Sequence, residues 1–524
     1  MASVRLIPQG KKKEFTKDTL LLDALLDMGA HIQTACGGKG ICGKCKVRAE
    51  GRLSEPDENE NNLVEISNGW RLACRSRIHG DVRVWIDDIE APVSNRTHPI
   101  LHPNDTYAAA IDIGTTSVTV SLVNLVKEKS TQLSTFMNPQ RRYGHDVISR
   151  ISAAADIDIF QNMSTLIQGA VIHTMSDALK TFGILFGNIK HITFSGNTTM
   201  LYLLFGLDVS PLGRYPYQAE YIDFFEENLT EKTALINIPE IKRVFPEAQI
   251  SALPAVNGFL GSDMVGGLAL CHGRGLTENT FFIDIGTNGE LFVINKQHEI
   301  YAASCAMGPA LEGMNTSWGM TADDGAITHA RIESGKIRHE IMGNGSPRGI
   351  AGTALVDLLA IFLEMSIIRP DGAFCRGIER KQLPAPASYE NSTTLKRIRL
   401  WGEISVNQKD IRNVQLAKGA SLAASRLVLK KAGRSPEQIK HVVIAGALGK
   451  HLSITNLKKL AFIPDFPDAQ YHYLGNASLA AAEEACLDRH FIKNAMMLRD
   501  RVRDVNLSML PEFNKEFMNA LDFR

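Results

Sequence analysis

Four cysteines near the start of the chain constrain its fold more than any other feature of the sequence. They are Cys36, Cys42, Cys45 and Cys74, with the spacing C-x5-C-x2-C-x28-C, and the first three lie in the glycine-rich stretch TACGGKGICGKCKVRAEG. The other four cysteines are scattered singly, which is typical of small buried apolar side chains. A disulfide framework is typical of small secreted domains, and a chain of 524 residues is not one. The first four cysteines therefore predict a metal site.

Two kinds of metal site fit four thiolates, structural zinc and an iron–sulfur cluster. Zinc ribbons usually carry two C-x2-C pairs, whereas this stretch carries one. Gly37, Gly38, Gly40 and Gly43 favour the cluster, because a loop that wraps bridging sulfides needs unusual backbone angles and close approach of N–H groups to sulfur. The spacing is also close to the C-x4-C-x2-C pattern with a distant fourth cysteine. We therefore predict that the four cysteines bind a [2Fe-2S] cluster.

The segments around the cysteines have the order strand, strand, helix, cysteine loop. SVRLIPQG and KEFTKD have the character of a strand pair, TLLLDALLDMGA has helical spacing, and RLACRSRIHGDVRVWI supplies the fourth cysteine and a closing strand. This part of the chain resembles the plant-type and adrenodoxin-like ferredoxins. The resemblance implies an α+β β-grasp [2Fe-2S] domain over residues 1–88.

Residues 89–107 have a different character. They carry Pro92, Pro99 and Pro103 and show little periodicity, so we predict a stiffened linker. The linker is short, which leaves little room for a further domain between residue 88 and the long segment 108–524.

The charge of the chain is balanced, with 57 Lys and Arg residues against 57 Asp and Glu residues. No net field therefore favours a nucleic acid or an anionic membrane as partner. The start, MASVRLIPQG, lacks the long apolar core of a secretory signal, and the later apolar runs are interrupted by Asp112, Asp263 or Asp284. We expect a cytoplasmic protein with no nucleic-acid or membrane partner.

The C-terminal segment contains a distant internal repeat. AAAIDIGTTSVTVSLVN (108–124) and TFFIDIGTNGELFVIN (280–295) each place Asp-Ile-Gly-Thr between two apolar strands, with the aspartates at 112 and 284. Such a repeat predicts two similar lobes that face each other. A tight turn of this kind exposes backbone N–H groups to phosphate, threonine hydroxyls add donors, and the aspartates can hold Mg²⁺ through water. The hairpins at 112–116 and 284–290 therefore predict a nucleotide between the lobes.

Three further segments place a glycine between a strand or turn and the element that follows. HVVIAGALGKHL (441–452) leaves room for an adenosine at its glycines, and ITFSGNTTMLYLLFG (192–206) and YLGNASLAAAEEAC (473–486) each carry Gly-Asn before a helix that we expect to cross between lobes. This order resembles the acetate-kinase, sugar-kinase, heat-shock-chaperone and actin (ASKHA) superfamily of ATPases. The resemblance implies an α/β two-lobed actin-like ATPase domain over 108–524, although 207–278 and 365–400 carry no superfamily motif.

The superfamily resemblance also implies which residues bind the nucleotide. We expect Mg²⁺ to be held by Asp112 and Asp284. The residues expected to bind ATP are Asp112, Gly114, Thr115, Thr116, Asp284, Gly286, Thr287, Asn288, Gly446, Gly449 and Gly475. No motif identifies the catalytic group. Asp263 is a candidate carboxylate, although a helix N-cap after Gly261 is the favoured interpretation. Glu290 is a second candidate, which would position water, with an exposed strand position as the equal alternative.

Four segments resemble a narrower family. They are NPQRRYGHDVISRI (138–151), SGNTTMLYLLFGLDVSPLGRYPY (195–217), SCAMGPALEGMNTSWGM (304–320) and NQKDIRNVQLAKGA (407–420). Joined to an N-terminal [2Fe-2S] domain, they look like the reductive activators of corrinoid proteins. The resemblance implies an ATP-hydrolysing iron–sulfur oxidoreductase that passes one electron to Co(II) and regenerates Co(I) for a methyltransferase system. It also implies a corrinoid protein as partner, a low-potential electron donor, and a homodimer formed through the ATPase domain.

A requirement for ATP is physically sensible in such a reaction. A plant-type cluster has a potential near about −400 mV. The resemblance implies that Co(II) is still harder to reduce, and each ~59 mV disfavours a one-electron transfer tenfold. ATP would supply the missing free energy by changing the partner complex, for example by removing an axial ligand from cobalt. The chain lacks the D-x-H-x-x-G pattern of corrinoid carriers, so we expect the cobalt to arrive on another protein.

Two functions of other classes stay open at this point. One is a small-molecule kinase with a fused redox sensor, which would use a carboxylate such as Asp263. The other is a scaffold ATPase of the chaperone or filament kind, in which the nucleotide switches an interaction and the cluster senses the redox state.

Overall fold

The structure is a computed structural model of the chain. It describes residues 1–524 except 8–9, 29, 31, 33–37, 39, 41–42, 44, 65, 86–100, 145, 228–229, 237, 309, 314–315, 323, 344, 393–395, 447–450 and 524. Among the helices in the described ranges, none combines the length and apolar character that crossing a membrane requires.

The first part of the chain is a five-stranded sheet with a helix packed on it. Its elements are β1 (Ala2–Ile7), β2 (Lys12–Phe15), α1 (Leu21–Asp27), β3 (Lys46–Leu53), α2 (Glu58–Leu63), β4 (Trp70–Leu72) and β5 (Ile78–Trp85). The strand order is β2-β1-β5-β3-β4, in which β1 and β5 are parallel. Leu22 and Leu25 of α1 share a buried core with Val4 and Val84 of the sheet. The predicted order of strand, strand and helix and the β-grasp fold class are confirmed.

The next part is built on a seven-stranded sheet with the order β11-β10-β12-β9-β6-β7-β8. Its elements are β6 (Tyr107–Ile113), β7 (Ser117–Asn124), β8 (Lys129–Met137), α3 (Val147–Ala153), α4 (Ile157–Phe182), β9 (Ile189–Gly196), α5 (Thr198–Phe205), β10 (Asp223–Phe225), β11 (Thr233–Leu235), α6 (Pro239–Val244) and β12 (Gln249–Ala252). We call this part the first lobe. Segment 207–278, which carried no superfamily motif, supplies β10, β11 and β12 and therefore extends this sheet.

The remainder is built on a six-stranded sheet with the order β23-β22-β13-β14-β15-β24, and we call it the second lobe. Its elements are α7 (Ser262–Gly273), β13 (Thr280–Ile285), β14 (Asn288–Ile294), β15 (Ile300–Ala306), β16 (Ala326–Glu333), β17 (Lys336–Ile341), β18 (Gly349–Ile350), α8 (Gly352–Glu364), β19 (Ser388–Asn391), β20 (Lys396–Arg399), β21 (Ser405–Asn407), α9 (Gln408–Lys431), β22 (His441–Ala445), α10 (Ile454–Lys459), β23 (Gln470–Gly475), α11 (Ala477–Leu487), α12 (Arg489–Arg499), β24 (Val502–Asp504) and α13 (Phe513–Asn519). Two three-stranded sheets, β17-β16-β18 and β19-β20-β21, complete it.

The internal repeat seen in the sequence is a repeat of sheet topology. In the first lobe β12, β9 and β6 are parallel, and β7 and β8 follow as antiparallel neighbours. In the second lobe β23, β22 and β13 are parallel, and β14 and β15 follow in the same way. The first strand of each hairpin is buried along nearly its whole length, and the break in burial falls at Asp112 in β6 and at Asp284 in β13. The two-lobed α/β prediction is confirmed.

Two helices at equivalent positions of the repeat connect the lobes. Helix α7 follows β12 of the first lobe, and its Leu268 is buried with Phe282 of the second. Helix α11 follows β23 of the second lobe, and its Leu479 is buried with Ala110 and Val123 of the first. The expectation that α5 also crosses is wrong, because all eight of its residues are buried and its apolar side chains lie in the core of the first lobe.

Candidate functional site

Asp112 lies at the penultimate position of β6 and is hydrogen-bonded to the beginning of the crossing helix α11. Its carboxylate accepts a hydrogen bond from Ser478 Oγ at 2.7 Å and another from Asn476 Nδ2 at 2.8 Å. Asn476 is also the N-cap of α11, since its side-chain oxygen accepts from the N–H of Leu479. Burial raises the pKa of Asp112, and the two hydrogen bonds oppose this rise.

Asp284 occupies the equivalent position in β13, but its surroundings differ. Within the described part of the chain no side chain or N–H group donates a hydrogen bond to its carboxylate. Burial, followed by the negative charges of Asp263 and Asp112, raises the pKa of Asp284 to about 8. Gly446 lies against it with φ +100°, and a Cβ there would lie 2.4 Å from the carbonyl oxygen of Ile285 and 2.7 Å from Asp284 Oδ1. This position therefore excludes any side chain.

Asp263 and Glu290 join the two aspartates in one acidic group. Helix α7 begins with Gly261 as N-cap, so the expectation that Asp263 caps the helix is wrong: Asp263 lies inside the first turn, where its carboxylate accepts from the N–H of Met264 at 2.8 Å. Burial first, and the charge of Asp112 after it, raise the pKa of Asp263 to about 6.

Glu290 lies in β14 opposite Asp284, and its side chain is buried. The alternative of an exposed strand position is therefore wrong, because β14 is central in the sheet of the second lobe. Burial, and then Asp263 and Asp284, raise the pKa of Glu290 well above its usual range, and Ser304 Oγ donates a hydrogen bond to it at 3.3 Å. The group can hold protons near neutral pH.

The threonines of the two hairpins meet between the lobes. The hydroxyl oxygens of Thr116 and Thr287 are 3.2 Å apart. Both hydroxyls donate to the carboxylate of Glu312, with Thr287 Oγ1 at 2.5 Å from Glu312 Oε1 and Thr116 bonded to Oε2. Asn197 Nδ2 donates to Thr115 Oγ1 at 2.9 Å. The structure thus brings the predicted threonines together around a glutamate that the sequence analysis missed.

Two buried arginines lie on the same side of the site as Glu312. Arg150 donates from Nε to the carbonyl oxygen of Gly144 at 2.9 Å and from Nη2 to that of Thr115. Burial and the nearby charge of Arg141 lower the pKa of Arg150 to about 9, and Glu312 opposes this change. Burial lowers the pKa of Arg141 as well, again opposed by Glu312. Both arginines lie in the segment NPQRRYGHDVISRI, but no spacing rule indicated a role for them.

The predicted glycines have different surroundings. At Gly114 a Cβ would lie 2.4 Å from the carbonyl oxygen of Ser117, so the turn of the first hairpin requires glycine. Gly286 has more room, with its nearest contact at 3.3 Å, and Gly475 has φ +65° with open space around it. Asn288 is the first residue of β14. Gly449 lies outside the described residues.

Two of the four predicted cluster ligands are described. The sulfur atoms of Cys45 and Cys74 are 3.1 Å apart, and both side chains are buried. The hydrogen bond between the Cys45 and Cys74 side chains lowers the pKa of Cys45 to about 7, against the opposing effect of burial. Cys36 and Cys42 lie outside the described residues, and in the remainder no three His, Cys, Asp or Glu side chains are grouped to hold a metal ion. Neighbouring ligands of one iron–sulfur cluster need sulfur atoms that lie close together, so this pair fits.

Three glycines of the segment between α1 and β3 are described. Gly38, Gly40 and Gly43 all have positive φ, at +78°, +74° and +68°. At Gly38 a Cβ would come within 4.0 Å of Cys74 Cβ. Positive φ at these three positions favours glycine, and Gly37 lies outside the described residues.

Fold and site together define a class of protein, a [2Fe-2S] ferredoxin domain fused to an ATPase domain of the ASKHA superfamily. Three family models match the chain. The 2Fe-2S iron-sulfur cluster binding domain matches residues 6–79, the RACo middle region matches 107–273, and the C-terminal domain of RACo, described as the ASKHA domain, matches 278–524. The chain belongs to the RACo family.

Individual proteins similar to this chain agree with the family. The corrinoid activation enzyme RamQ of Eubacterium limosum is 28% identical, over 96% of this chain and 96% of its own length. The [Co(II) methylated amine-specific corrinoid protein] reductase of Methanosarcina barkeri is 21% identical, over 80% of this chain and 77% of its own. Among solved structures, the reductive activator for corrinoid, iron-sulfur protein has a TM-score of 0.70 and 25% identity, and the match covers 100% of this chain and 98% of that one.

Proposed function

We propose that this protein is an ATP-hydrolysing iron–sulfur oxidoreductase that reductively activates a corrinoid protein. It reduces Co(II) on that partner by one electron to Co(I), which a methyltransferase system then uses. The observation that carries the proposal is the presence, in one chain of the RACo family, of a converging cysteine pair in a ferredoxin fold and of two facing phosphate hairpins.

The relatives supply the partner. RamQ is named a corrinoid activation enzyme, and the protein of Methanosarcina barkeri is named a reductase of a Co(II) corrinoid protein. Both align with most of this chain, so we infer that it has the same kind of partner. We further propose that a low-potential donor refills the cluster and that the chain forms a homodimer through its ATPase domain.

The charges of the cleft support ATP as the ligand. The acidic group lies along the ends of β6, β13 and β14, whereas Arg141 and Arg150 lie beside Glu312 and the hairpin threonines. A triphosphate with Mg²⁺ needs both kinds of neighbour, because its phosphate oxygens require donors and cations while the metal requires oxygen ligands. We propose that the hairpin residues and Gly446, Gly449 and Gly475 line the ATP site.

We assign the metal to the acidic side of this cleft. Asp112 and Asp284 would hold Mg²⁺ through water, since no three acidic side chains within the described ranges are grouped to bind an ion directly. Asp263 and Glu290 are the remaining carboxylates, and their raised pKa values make them the candidates for moving a proton to or from the attacking water.

The ferredoxin domain provides the redox site. We propose that Cys36, Cys42, Cys45 and Cys74 bind the [2Fe-2S] cluster, which when bound supplies one electron at low potential. The burial of Cys45 and Cys74 keeps water from the sulfur atoms. A low potential alone is not sufficient for cobalt, which is why the ATPase domain is needed.

The test follows Co(II) and Co(I) absorption bands anaerobically, with an oxidised corrinoid protein, a low-potential reductant and Mg-ATP. The intact chain should produce Co(I) only with ATP. Cys74→Ala should lose the cluster yet still hydrolyse ATP, and Asp284→Ala should keep the cluster, with about two irons per chain, yet fail to hydrolyse ATP. Cys375→Ala, at a cysteine outside the cluster loop, is the matched control and should behave as the unmodified chain.

Each contrary result has a distinct meaning. Full reduction of cobalt without ATP would refute the energetic coupling. Phosphorylation of a metabolite in the absence of the corrinoid protein would identify a kinase, and ATP binding with no electron transfer would identify a scaffold. Stoichiometric zinc without visible absorption would refute the redox site.

A further inference from the structure

Glu312 lies where the phosphate hairpins of both lobes meet. One carboxylate oxygen accepts from Thr287 of the second lobe at 2.5 Å, and the other accepts from Thr116 of the first. The two hydroxyls that the sequence assigns to phosphate are therefore already bonded to an anion, and this anion belongs to the protein.

A phosphate group bound in the position of Glu312 would be surrounded by the same positive charges as the carboxylate. Arg141 and Arg150 are buried, and the negative charge of Glu312 acts on the pKa of both guanidinium groups. Two hydroxyl groups thus donate to the carboxylate, and two cations lie near enough to interact with its charge. A terminal phosphate offers three strong acceptor oxygens, so it can replace the two oxygens of a carboxylate at the same donors.

The backbone that carries Glu312 is tightly packed. A Cβ at Gly352 would lie 1.6 Å from the carbonyl oxygen of Leu311, and one at Gly313 would lie 2.2 Å from that of Met320. Leu311 is itself buried in the core of the second lobe. Because the backbone is held on both sides of Glu312, departure of the carboxylate from the threonines requires rotation of its own side chain rather than a shift of the loop.

From this geometry we propose that Glu312 is an internal substitute for phosphate. In the nucleotide-free protein it bridges the two lobes through Thr116 and Thr287, and the phosphate of the incoming nucleotide displaces it. Glu312 therefore lowers the affinity for nucleotide. When the nucleotide binds, its phosphate replaces the carboxylate of Glu312 as the bridge between the lobes. The inference rests on the proposed function, since it assumes that the hairpins bind ATP.

The exchange also provides a reason for a carboxylate at this position. Arg141 and Arg150 are both buried, and burial, followed by the charge of Arg141, lowers the pKa of Arg150, so an opposing negative charge is needed nearby. The glutamate compensates these charges until a phosphate takes over the role. Part of the binding free energy of the nucleotide is then used to displace the carboxylate.

The experiment is calorimetric titration of the full anaerobic protein with Mg-ATP and, separately, with adenosine. Glu312→Gln keeps the size of the side chain and removes its charge, so the Kd for Mg-ATP should fall about tenfold, the effect of no longer breaking one charge-assisted hydrogen bond. Binding of adenosine, which carries no phosphate, should not change. Glu333→Gln, at the exposed last residue of β16, is the matched control and should leave both constants unchanged.

The outcomes separate this inference from the proposed function. If the unmodified chain binds no nucleotide, both are refuted. If it binds Mg-ATP but Glu312→Gln binds it equally or more weakly, the substitute role is refuted while the proposed function stands, and weaker binding would make Glu312 a ligand of the nucleotide or of its metal. Cluster absorbance and the melting temperature show whether each variant is folded.

Discussion

The two lobes have the same hairpin on the same sheet topology, but the surroundings of the hairpin aspartate differ between them. Asp112 of the first lobe accepts hydrogen bonds from Ser478 and Asn476 at the beginning of α11. Asp284 of the second lobe lies against Gly446, and no hydrogen bond to its carboxylate is found among the residues that the structure describes. One aspartate is thus fixed by a crossing helix, and the other has no such anchor among the described residues.

This difference indicates that the two copies of a repeated motif have different roles. Hydrogen bonds favour the charged form of Asp112 and limit the rise of its pKa, whereas burial and like charges raise the pKa of Asp284 to about 8. We therefore expect Asp112 to position α11 against the first sheet and Asp284 to contribute more to the binding of Mg²⁺.

The largest effect is expected from Asp284→Asn. Because an asparagine cannot give Mg²⁺ a carboxylate, kcat for Mg-dependent ATP hydrolysis should fall about 1,000-fold, the upper range for loss of one electrostatic group in an active site. Asp112→Asn, at the engaged position, should lower it about tenfold. Steady-state phosphate release measures both, with the cluster spectrum as a check of folding. Equal losses of kcat in the two variants would show that the aspartates of the two lobes contribute equally to hydrolysis.

The next effect is expected at two equivalent glycines. At Gly446 a Cβ would lie 2.4 Å from the Ile285 carbonyl oxygen, and at Gly196 it would lie 2.6 Å from that of Ile113. Alanine should cost about 2–3 kcal/mol of unfolding free energy at either position, because φ is positive and the clash is with backbone. Urea denaturation measures this cost.

The same pair of variants also tests the site. A Cβ at Gly446 presses on Asp284 Oδ1 as well, so Gly446→Ala should weaken Mg-ATP binding severalfold beyond any effect of Gly196→Ala. Identical affinities in the two variants would show that the second lobe is not the more sensitive one.

The smallest effect is expected from Ser478→Ala. It removes one hydrogen bond to a carboxylate, which is worth about 1.5 kcal/mol, and the loss should appear as a lower urea midpoint with a similar loss of Mg-ATP affinity. Ser304→Ala, which removes the hydrogen bond to Glu290 at 3.3 Å, is the control in the second lobe and should cost less. A larger loss of stability in Ser304→Ala would show that Glu290, and not Asp112, is the carboxylate more firmly held by its hydrogen bond.

The fold was predictable because its signals are local. The strand order around the cysteines, the two Asp-Ile-Gly-Thr hairpins and the Gly-Asn helix starts are patterns of a few neighbouring residues. The crossing role of α5 was predicted wrongly for the same reason: a strand, Gly-Asn and a helix look alike whether the helix lies within one lobe or between two.

The site was predictable in part. Thr116 and Thr287 belong to the repeat and were found, whereas Glu312, Arg141 and Arg150 come from segments with no repeat partner, and only the fold brings them to the hairpins. The burial of individual side chains was not predictable from the sequence either. Glu290 is buried because β14 is central in its sheet, and a pattern along one strand does not reveal the neighbours on both sides.

The bond between α11 and Asp112 has a consequence for synthesis on the ribosome. Asp112 and its partner Ser478 are 366 positions apart in the chain. The ferredoxin domain and most of both sheets leave the exit tunnel first, since domains emerge and fold from the N-terminus at about 5–20 residues per second. The first hairpin stays without its anchoring helix for the greater part of translation. A chain that ends before α11 therefore contains the whole ferredoxin domain, but its cleft between the two hairpins lacks the helix that anchors Asp112.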